Sequence, residues 1–215
     1  MNVVALDGAF GGFSCAVFRD GRLVSHKSAA GNVALEAGLP LVVDTLREAA
    51  MTPADLDCLA VGTGPGAFTG LRIAISYAKS LALGWRRPLA GVGSFEALEL
   101  GLPQIPRLSV ISAKPGTASV HLLTGAADHR MSGSTSELCD RIAALHSTGV
   151  LYAVGAPEDV LSGLGERGID VHTLQMQQPP AVAIAQIAAS RAPAPSLHAI
   201  RADYGEAPPA KVPAL

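Results

Sequence analysis

Strand-like and helix-like apolar patterns follow one another along this chain in an order that few folds can accommodate. Val3 to Leu6 is a short apolar run, followed by "DGAFGG"; then come "FSCAVF" (13–18), "RDG" (19–21) and "RLVSHKS". Asp20-Gly21 between two strand-like runs predicts a tight turn, because such a turn needs positive φ and these residues tolerate it. The second and third strands should therefore pair antiparallel. Leu35, Leu39, Val42, Leu46 and Ala49 recur at helical spacing and predict a helix to about Ala50. "CLAV" (58–61) is a short buried strand, and "GTGPGAFTGLRIAIS" (62–76) leads from it into a second helix that should stop at Gly84. Pro88 to Val92 is a further strand, and Ser94 caps a short helix through Leu100. An initial meander followed by helix–strand crossovers predicts a mixed sheet with helices packed on it.

The second half repeats this order weakly. Strands at Leu108–Ala113 and Ala118–Leu123 precede a helix at Thr135–Leu145, the strand "LYAVG", a helix at Glu158–Leu164, a strand near Val171 and a helix from about Ala181 to Ser190. Two prolines and a glycine make "GLPQIP" (101–106) the best boundary, dividing the chain into halves 1–102 and 103–215. From Pro193 on, the Pro- and Ala-rich composition predicts an extended, partly ordered tail.

Composition limits the function classes. With 49% hydrophobic and only 4% aromatic residues, the core is aliphatic, which suits helices on a sheet better than an aromatic stacking surface. A net charge of −2 and no basic stripe argue against a chain that grips nucleic acid alone. Cys15, Cys58 and Cys139 are far apart and form no Cys-x-x-Cys pair. The first apolar stretch lacks a basic flank and carries Asp7, so it does not read as a signal peptide, and no run is long enough to span a membrane. A cytoplasmic protein is expected.

The glycine loop lacks the residues that the phosphate-binding templates need. A P-loop needs a lysine after its last glycine and then a hydroxyl for magnesium, whereas Gly66 is followed by Ala67, Phe68 and Thr69. The dinucleotide fingerprint needs an acid about twenty residues on, and none stands at 83–87. The favoured reading is a tight turn at Gly64-Pro65-Gly66, with Gly70 behind it and Thr69 as helix cap. The following helix is apolar around most of its girth. Leu71, Ile75, Ala78 and Ala82 form one stripe, Ala74, Leu81 and Trp85 widen it, Ile73 and Tyr77 add a flank, and Arg72, Ser76 and Lys79 leave a narrow polar strip. Either a neighbouring helix or a partner protein covers the surplus. No two histidines lie three or four apart, so no metal site is expected. Asp7, with Gly8 after it, is the one carboxylate placed like an active-site group, and no hydroxyl follows until Ser14.

"VVALDGAFGGFSCAVFRDG", "LPLVVDTLREA", "LAVGTGPGAFTGLRIAISYAKSLALG" and "PLAGVGSFEAL" together resemble the bacterial TsaB (YeaZ) family, strongly over residues 1 to 100 and faintly beyond. Gly64 to Arg72 matches its most specific motif throughout. "RLSVISAKPGTASVHLL" looks like the opening of the family's second half, with Ser112, Ala113 and Lys114 where Asp-Ala-Arg is usual, and "IRADYG" near 200 is similar to its C-terminal end. "ALEAG" (34–38) keeps only Glu36 of a His-Ser-Glu-Arg-Leu segment common in members.

The resemblance implies an α/β duplicated fold of the actin-like, sugar-kinase and Hsp70 type. It implies a non-catalytic paralogue of the transferase TsaD, binding and stabilising it during threonylcarbamoylation of the adenosine next to the tRNA anticodon. The ATPase TsaE would join the assembly, tRNA would be met only through the complex, and the chain alone would form a homodimer through much the same surface. It further implies no resident cofactor, with ATP only at a partner interface, and at most a weak nucleotide site at Asp7 and Gly8. The expected interface is the 69–83 helix, at Thr69, Leu71, Arg72, Ile75, Tyr77, Ala78 and Ala82, with Leu71, Ile75, Ala78 and Ala82 dividing between the sheet and the partner. The competing readings are an ATP-dependent phosphotransferase of the same fold, with Asp7 holding magnesium, and a glycopeptidase-like metalloprotein.

Overall fold

The computed structural model describes residues 1–31, 34–103, 105–125 and 127–205. Two five-stranded mixed sheets are built on the same plan. In the first, β1 (Val3–Asp7), β2 (Gly12–Arg19) and β3 (Arg22–Ala30) form the meander, and β4 (Cys58–Gly62) and β5 (Leu89–Val92) add parallel to β1, in the order β3-β2-β1-β4-β5. The crossovers are α1 (Ala34–Glu48) and α2 (Phe68–Trp85), and α3 (Ser94–Glu99) follows β5. In the second sheet β6 (Arg107–Lys114), β7 (Thr117–Thr124) and β8 (Ala127–Ser134) form the meander, joined through α4 (Thr135–Leu145) to β9 (Val150–Val154) and through α5 (Glu158–Gly165) to β10 (Asp170–Leu174). Its order, β10-β9-β6-β7-β8, is the same arrangement, and the chain is an actin-like duplicated α/β fold.

The β2–β3 hairpin forms as expected, with Asp20 and Gly21 both at positive φ, 52° and 76°. Strand alternation then sorts the first core into two layers. Val4, Leu6 and Val17 face α1 and α2, while Val3, Ala5, Cys58 and Ala60 face the opposite side. That opposite side is covered by α6 (Pro180–Ala188), the last helix of the second half, which returns across the molecule to the first sheet. Ala181–Ala185 and Ala188 are all buried, which accounts for a helix apolar nearly all round.

Several local expectations are corrected. β8 has no counterpart in the sequence reading, because "ADHRMSGS" carries polar residues on an edge strand and shows little alternation. Gly84 does not stop α2, which runs on to Trp85 and ends with Arg86 in the left-handed region (φ 54°). Ser94 is the first residue of α3 rather than its cap, and the Gly93 N–H is instead held by the Glu96 carboxylate at 3.0 Å. Residues 194–205 pack on the first half, whereas 206–215, the rest of the expected tail, lie outside the described residues: the Ala194 N–H donates to the Leu89 carbonyl at 2.9 Å, and Ile200 is buried in the core. No helix among the described residues is long and apolar enough to cross a membrane.

Candidate functional site

The glycine loop bends back over the start of the chain. Gly64 has φ 102°, a conformation that L side chains rarely adopt, and its peptide to Pro65 is cis. Each further glycine lies where a Cβ would strike backbone: Gly66 beneath the Ala9 carbonyl, and Gly70 beneath that of Gly8, whose own missing side chain faces Gly70 in turn. The Ala67 N–H donates to the Ala9 carbonyl at 2.8 Å and the Ser94 N–H to that of Gly64 at 2.7 Å. These glycines therefore let α2 enter against the β1–β2 loop, and two of the amides around them bond to carbonyls of the same chain. Thr69 is not the cap: α2 begins one residue earlier, with Ala67 at the cap position and no side-chain bond.

Asp7 ends β1 and is buried on the α6 side of the sheet, with its Oδ1 against Gly62, beside which Ile184 packs. Its Oδ2 accepts the Ala9 N–H at 3.1 Å, and its Oδ1 has no hydrogen-bond partner. Burial pushes its pKa up to about 7, even though the N–H groups of Ala9, Phe10 and Gly8 pull it down. Near neutrality this carboxyl is therefore half protonated and shielded from solvent. Burial likewise pushes the Cys15 and Cys58 thiols up to about 12 and about 11. Among the described residues no group of three His, Cys, Asp or Glu stands together as a metal-ligand set.

The α2 stripe is used inside the chain. Leu71, Ala74, Ile75, Ala78 and Ala82 are all buried in the first core. This corrects the expectation that these residues divide between sheet and partner: α1 and both faces of the α2–sheet contact take up their apolar area. Thr69, Arg72 and Ser76 are exposed, and Tyr77 is half-buried between the two helices, donating its hydroxyl to the Leu35 carbonyl at 2.8 Å.

A row of exposed apolar residues runs along α1, while on α2 only Phe68 and Leu83 are exposed large apolar residues, at its two ends. Leu35 (63% exposed), Leu39 (40%) and Val43 (52%) stand at i, i+4 and i+8 on its outer face, while Ala34, Gly38, Leu41, Val42, Thr45 and Leu46 face the core. In sequence, Leu35 and Leu39 belong to one apolar helix pattern with Val42, Leu46 and Ala49. The signal available in sequence was that Ala34, Gly38, Leu41, Val42 and Thr45 make a second, smaller-residue stripe, and it is the smaller one that packs inward: the ring of Tyr77 occupies the space left by Gly38.

A cleft of about 490 Å³ lies between the halves, lined by Thr63 to Pro65, by Phe95 and Glu96 of α3, by Ser119, Arg130 and Ser132 of the second sheet, and by residues 191–205. Arg191 is held by the Glu96 carboxylate and donates to the Gly91 carbonyl at 2.9 Å. Asp203 donates its N–H to the Thr63 carbonyl at 2.7 Å. The Tyr204 ring lies 5.0 Å from that of Phe68 and its hydroxyl accepts from Arg72 Nε at 2.9 Å, while the Arg72 guanidinium sits 3.8 Å over the Phe68 ring. The "IRADYG" segment thus straps the Gly-Pro-Gly loop and the first turn of α2.

Comparison with known proteins agrees with this geometry. The tRNA threonylcarbamoyladenosine biosynthesis protein TsaB of Escherichia coli (strain K12) is 36% identical over 101 residues, covering 47% of this chain and 44% of that protein. The match therefore spans less than half of that relative's length. The structure of YeaZ from Pseudomonas aeruginosa superposes with a TM-score of 0.63 at 22% identity, covering 87% of this chain and 90% of the other. An activator of 2-hydroxyisocaproyl-CoA dehydratase from Clostridium difficile, solved with bound ADPNP, superposes with a TM-score of 0.53 at 9% identity, covering 87% and 94%. The family model for TsaD, tRNA N6-adenosine threonylcarbamoyltransferase, matches residues 32–159. That is more than half of the chain, and with the Gly64–Arg72 motif and the duplicated fold it leads to one assignment: the chain belongs to the TsaD family, as a member of its TsaB/YeaZ group.

Proposed function

We propose that this protein is a non-catalytic subunit in the making of threonylcarbamoyladenosine on tRNA, and that it binds a TsaD-type transferase through the outer face of α1 and the adjoining flank of α2. The observation that carries the reading is the row Leu35, Leu39 and Val43, a contiguous apolar surface on a helix whose inner face is already packed. Tyr77 borders it from α2, with its hydroxyl on the Leu35 carbonyl. The biosynthesis role itself rests on the likeness to the Escherichia coli protein. A pseudoenzyme role is supported by Asp7, which is sealed beneath α6 rather than open to solvent. In this reading the chain works in the cytoplasm, pairs with a second copy of itself when the transferase is absent, and meets TsaE, tRNA and any ATP only through the assembled complex.

The test is co-purification of the tagged chain with a TsaD-type transferase from the cell it comes from, combined with complementation of a depleted strain. Wild-type protein should bring down the transferase and restore the modified nucleoside. A variant with Leu39→Glu should do neither while remaining folded. Full complementation by a folded Leu39→Glu protein would remove the α1 face from the interface. Robust ATP turnover by the purified chain, abolished by Asp7→Ala, would replace the subunit reading with the phosphotransferase one.

A further inference from the structure

Strand alternation sets one wall of the cleft between the halves. On β7 and β8, Val120, Leu122 and Met131 turn into the second core, so Ser119, Arg130 and Ser132 lie on the opposite face and line the cleft. The facing wall is built at the C-terminal ends of β4 and β5, by Thr63–Pro65 and Gly93, together with the strap of residues 191–205. Crevices beyond the carboxyl ends of strands are where open α/β sheets take their ligands. Bonds from Ala194 to the Leu89 carbonyl and from Asp203 to that of Thr63 fix the strap. Ile200 is buried in the first core, and Arg201 beside it lines the cleft. The two walls are also tied together: Glu99 of α3 pairs with Arg107 of β6 at 3.1 Å and lies 2.6 Å from His121 Nδ1 on β7, whose Nε2 is 2.9 Å from Asp128 Oδ1. At about 490 Å³, the cleft has the size of a small-molecule site.

The charges lining this cleft do not balance. Arg130, Arg191 and Arg201 stand against two carboxylates, Glu96 and Asp203. Glu96 is occupied by Arg191 and by the Gly93 N–H at 3.0 Å. Burial pushes the Glu96 pKa up, yet these bonds and the charges of Arg191 and Arg130 hold it below the ordinary carboxylate value. Arg130 therefore stands near the Arg191–Glu96 pair. Arg130 and Arg201 are exposed, and no carboxylate oxygen of a described residue lies within 4.0 Å of either. A cleft with low-dielectric walls concentrates the field of such cations. The Ser119 and Ser132 hydroxyls are 2.9 Å apart, and since one hydrogen serves that bond, the other is left to donate. Guanidinium forks and hydroxyl donors together suit the oxygens of a phosphate group. Asp203 accepts the Gly205 N–H at 2.8 Å and keeps lone pairs for a hydroxyl. We propose that the cleft binds a small phosphomonoester, its phosphate held by Arg130, Arg201 and the serine pair, and a hydroxyl of its organic body by Asp203. Neither Asp7 nor any residue of the β1–β2 loop, the β6–β7 turn or α1 lines this cleft. The site is thus separate from the one the phosphotransferase reading would use, and independent of the partner-subunit reading.

The test titrates the full chain with inorganic phosphate and with glycerol 3-phosphate at constant ionic strength, followed by calorimetry and by the amide shifts of Ser132, Asp203 and Gly205. Glycerol 3-phosphate should saturate a single site, move these three amides and bind more tightly than inorganic phosphate. Arg130→Ala and Arg201→Ala, both at exposed positions, should each weaken it about tenfold or more. Arg22→Ala, which removes an exposed cation of β3 outside the cleft, should leave it unchanged. Asp203→Asn should narrow the gap between the two probes, since only the ester has a hydroxyl to lose. Four results would each overturn the site: no saturable binding, equal weakening by Arg22→Ala, tighter binding of inorganic phosphate than of the ester, or ester binding that survives both cleft arginine changes and is lost in Asp7→Asn.

Discussion

Gly70, in the first turn of α2, and Gly8, just after β1, each lie where the other's carbonyl leaves no room for a side chain. This mutual contact seats α2 against the β1–β2 loop and sets how the rest of the helix meets the sheet.

Replacing Gly70 by Ala should therefore destabilise the protein by about 1–3 kcal/mol, the usual cost of forcing an extra carbon into a packed site. The obstacle is backbone, which cannot rotate away. Denaturant unfolding of Gly70→Ala checks this, with Gly84→Ala as the control. Gly84 has open space around its Cα and lies within the helix, so alanine there should be neutral or stabilising by up to about 1 kcal/mol.

Charge placed on the two apolar stripes should have opposite consequences. Ile75 is 7% exposed in the core, so Ile75→Glu would bury an unpaired carboxylate and should cost about 3–5 kcal/mol or raise the pKa of the new group instead. Leu39→Glu stays in water and should change stability by less than about 0.5 kcal/mol. It should weaken association with a second copy or with the transferase at least tenfold, about 1.4 kcal/mol. Thermal unfolding and sedimentation of the two variants distinguish the effects.

Asp7 predicts a pH dependence of stability with a definite sign. Its pKa rises from 3.8 to about 7 on folding, so the folded state binds the proton more tightly. The associated stability is fully present below about pH 4, declines as the pH climbs to about 7, and is level above that. Relative to Asp7→Asn, wild type should lose roughly 4 kcal/mol across that interval, following 1.36 kcal/mol per unit. Urea midpoints of both proteins at pH 4.5, 6 and 8 measure it. Parallel curves would mean that Asp7 titrates normally.

Tyr204→Ala should free the end of the strap while leaving its root in place. The lost contacts are one ring pair and one hydrogen bond to Arg72, together about 1–2 kcal/mol at a partly exposed position. Amide exchange at Asp203 should accelerate, while Ala194, bonded to the Leu89 carbonyl, should keep its protection. Tyr204→Phe, which retains the ring, should fall between the two.

Local signals in the sequence were enough to determine most of the elements. The Asp20-Gly21 turn, the meander before the first crossover and the Gly-Pro-Gly entry to α2 each depend on φ preferences or on periodicity within a few residues, and such constraints act before any tertiary contact forms. Sequence also determined that α2 carries more apolar surface than one sheet contact requires. Which stripe faces which neighbour was decided only in three dimensions. The inward face of α1 is marked by small residues, Ala34 and Gly38, because the Tyr77 ring needs the space, and Leu35, Leu39 and Val43 are left outside as a result. The return of α6 to the first sheet, the strap that ends in Tyr204, and the meeting of Glu99, His121 and Asp128 all join residues distant in sequence. No periodicity records such pairings, since each depends on where segments far apart in sequence come to rest against each other.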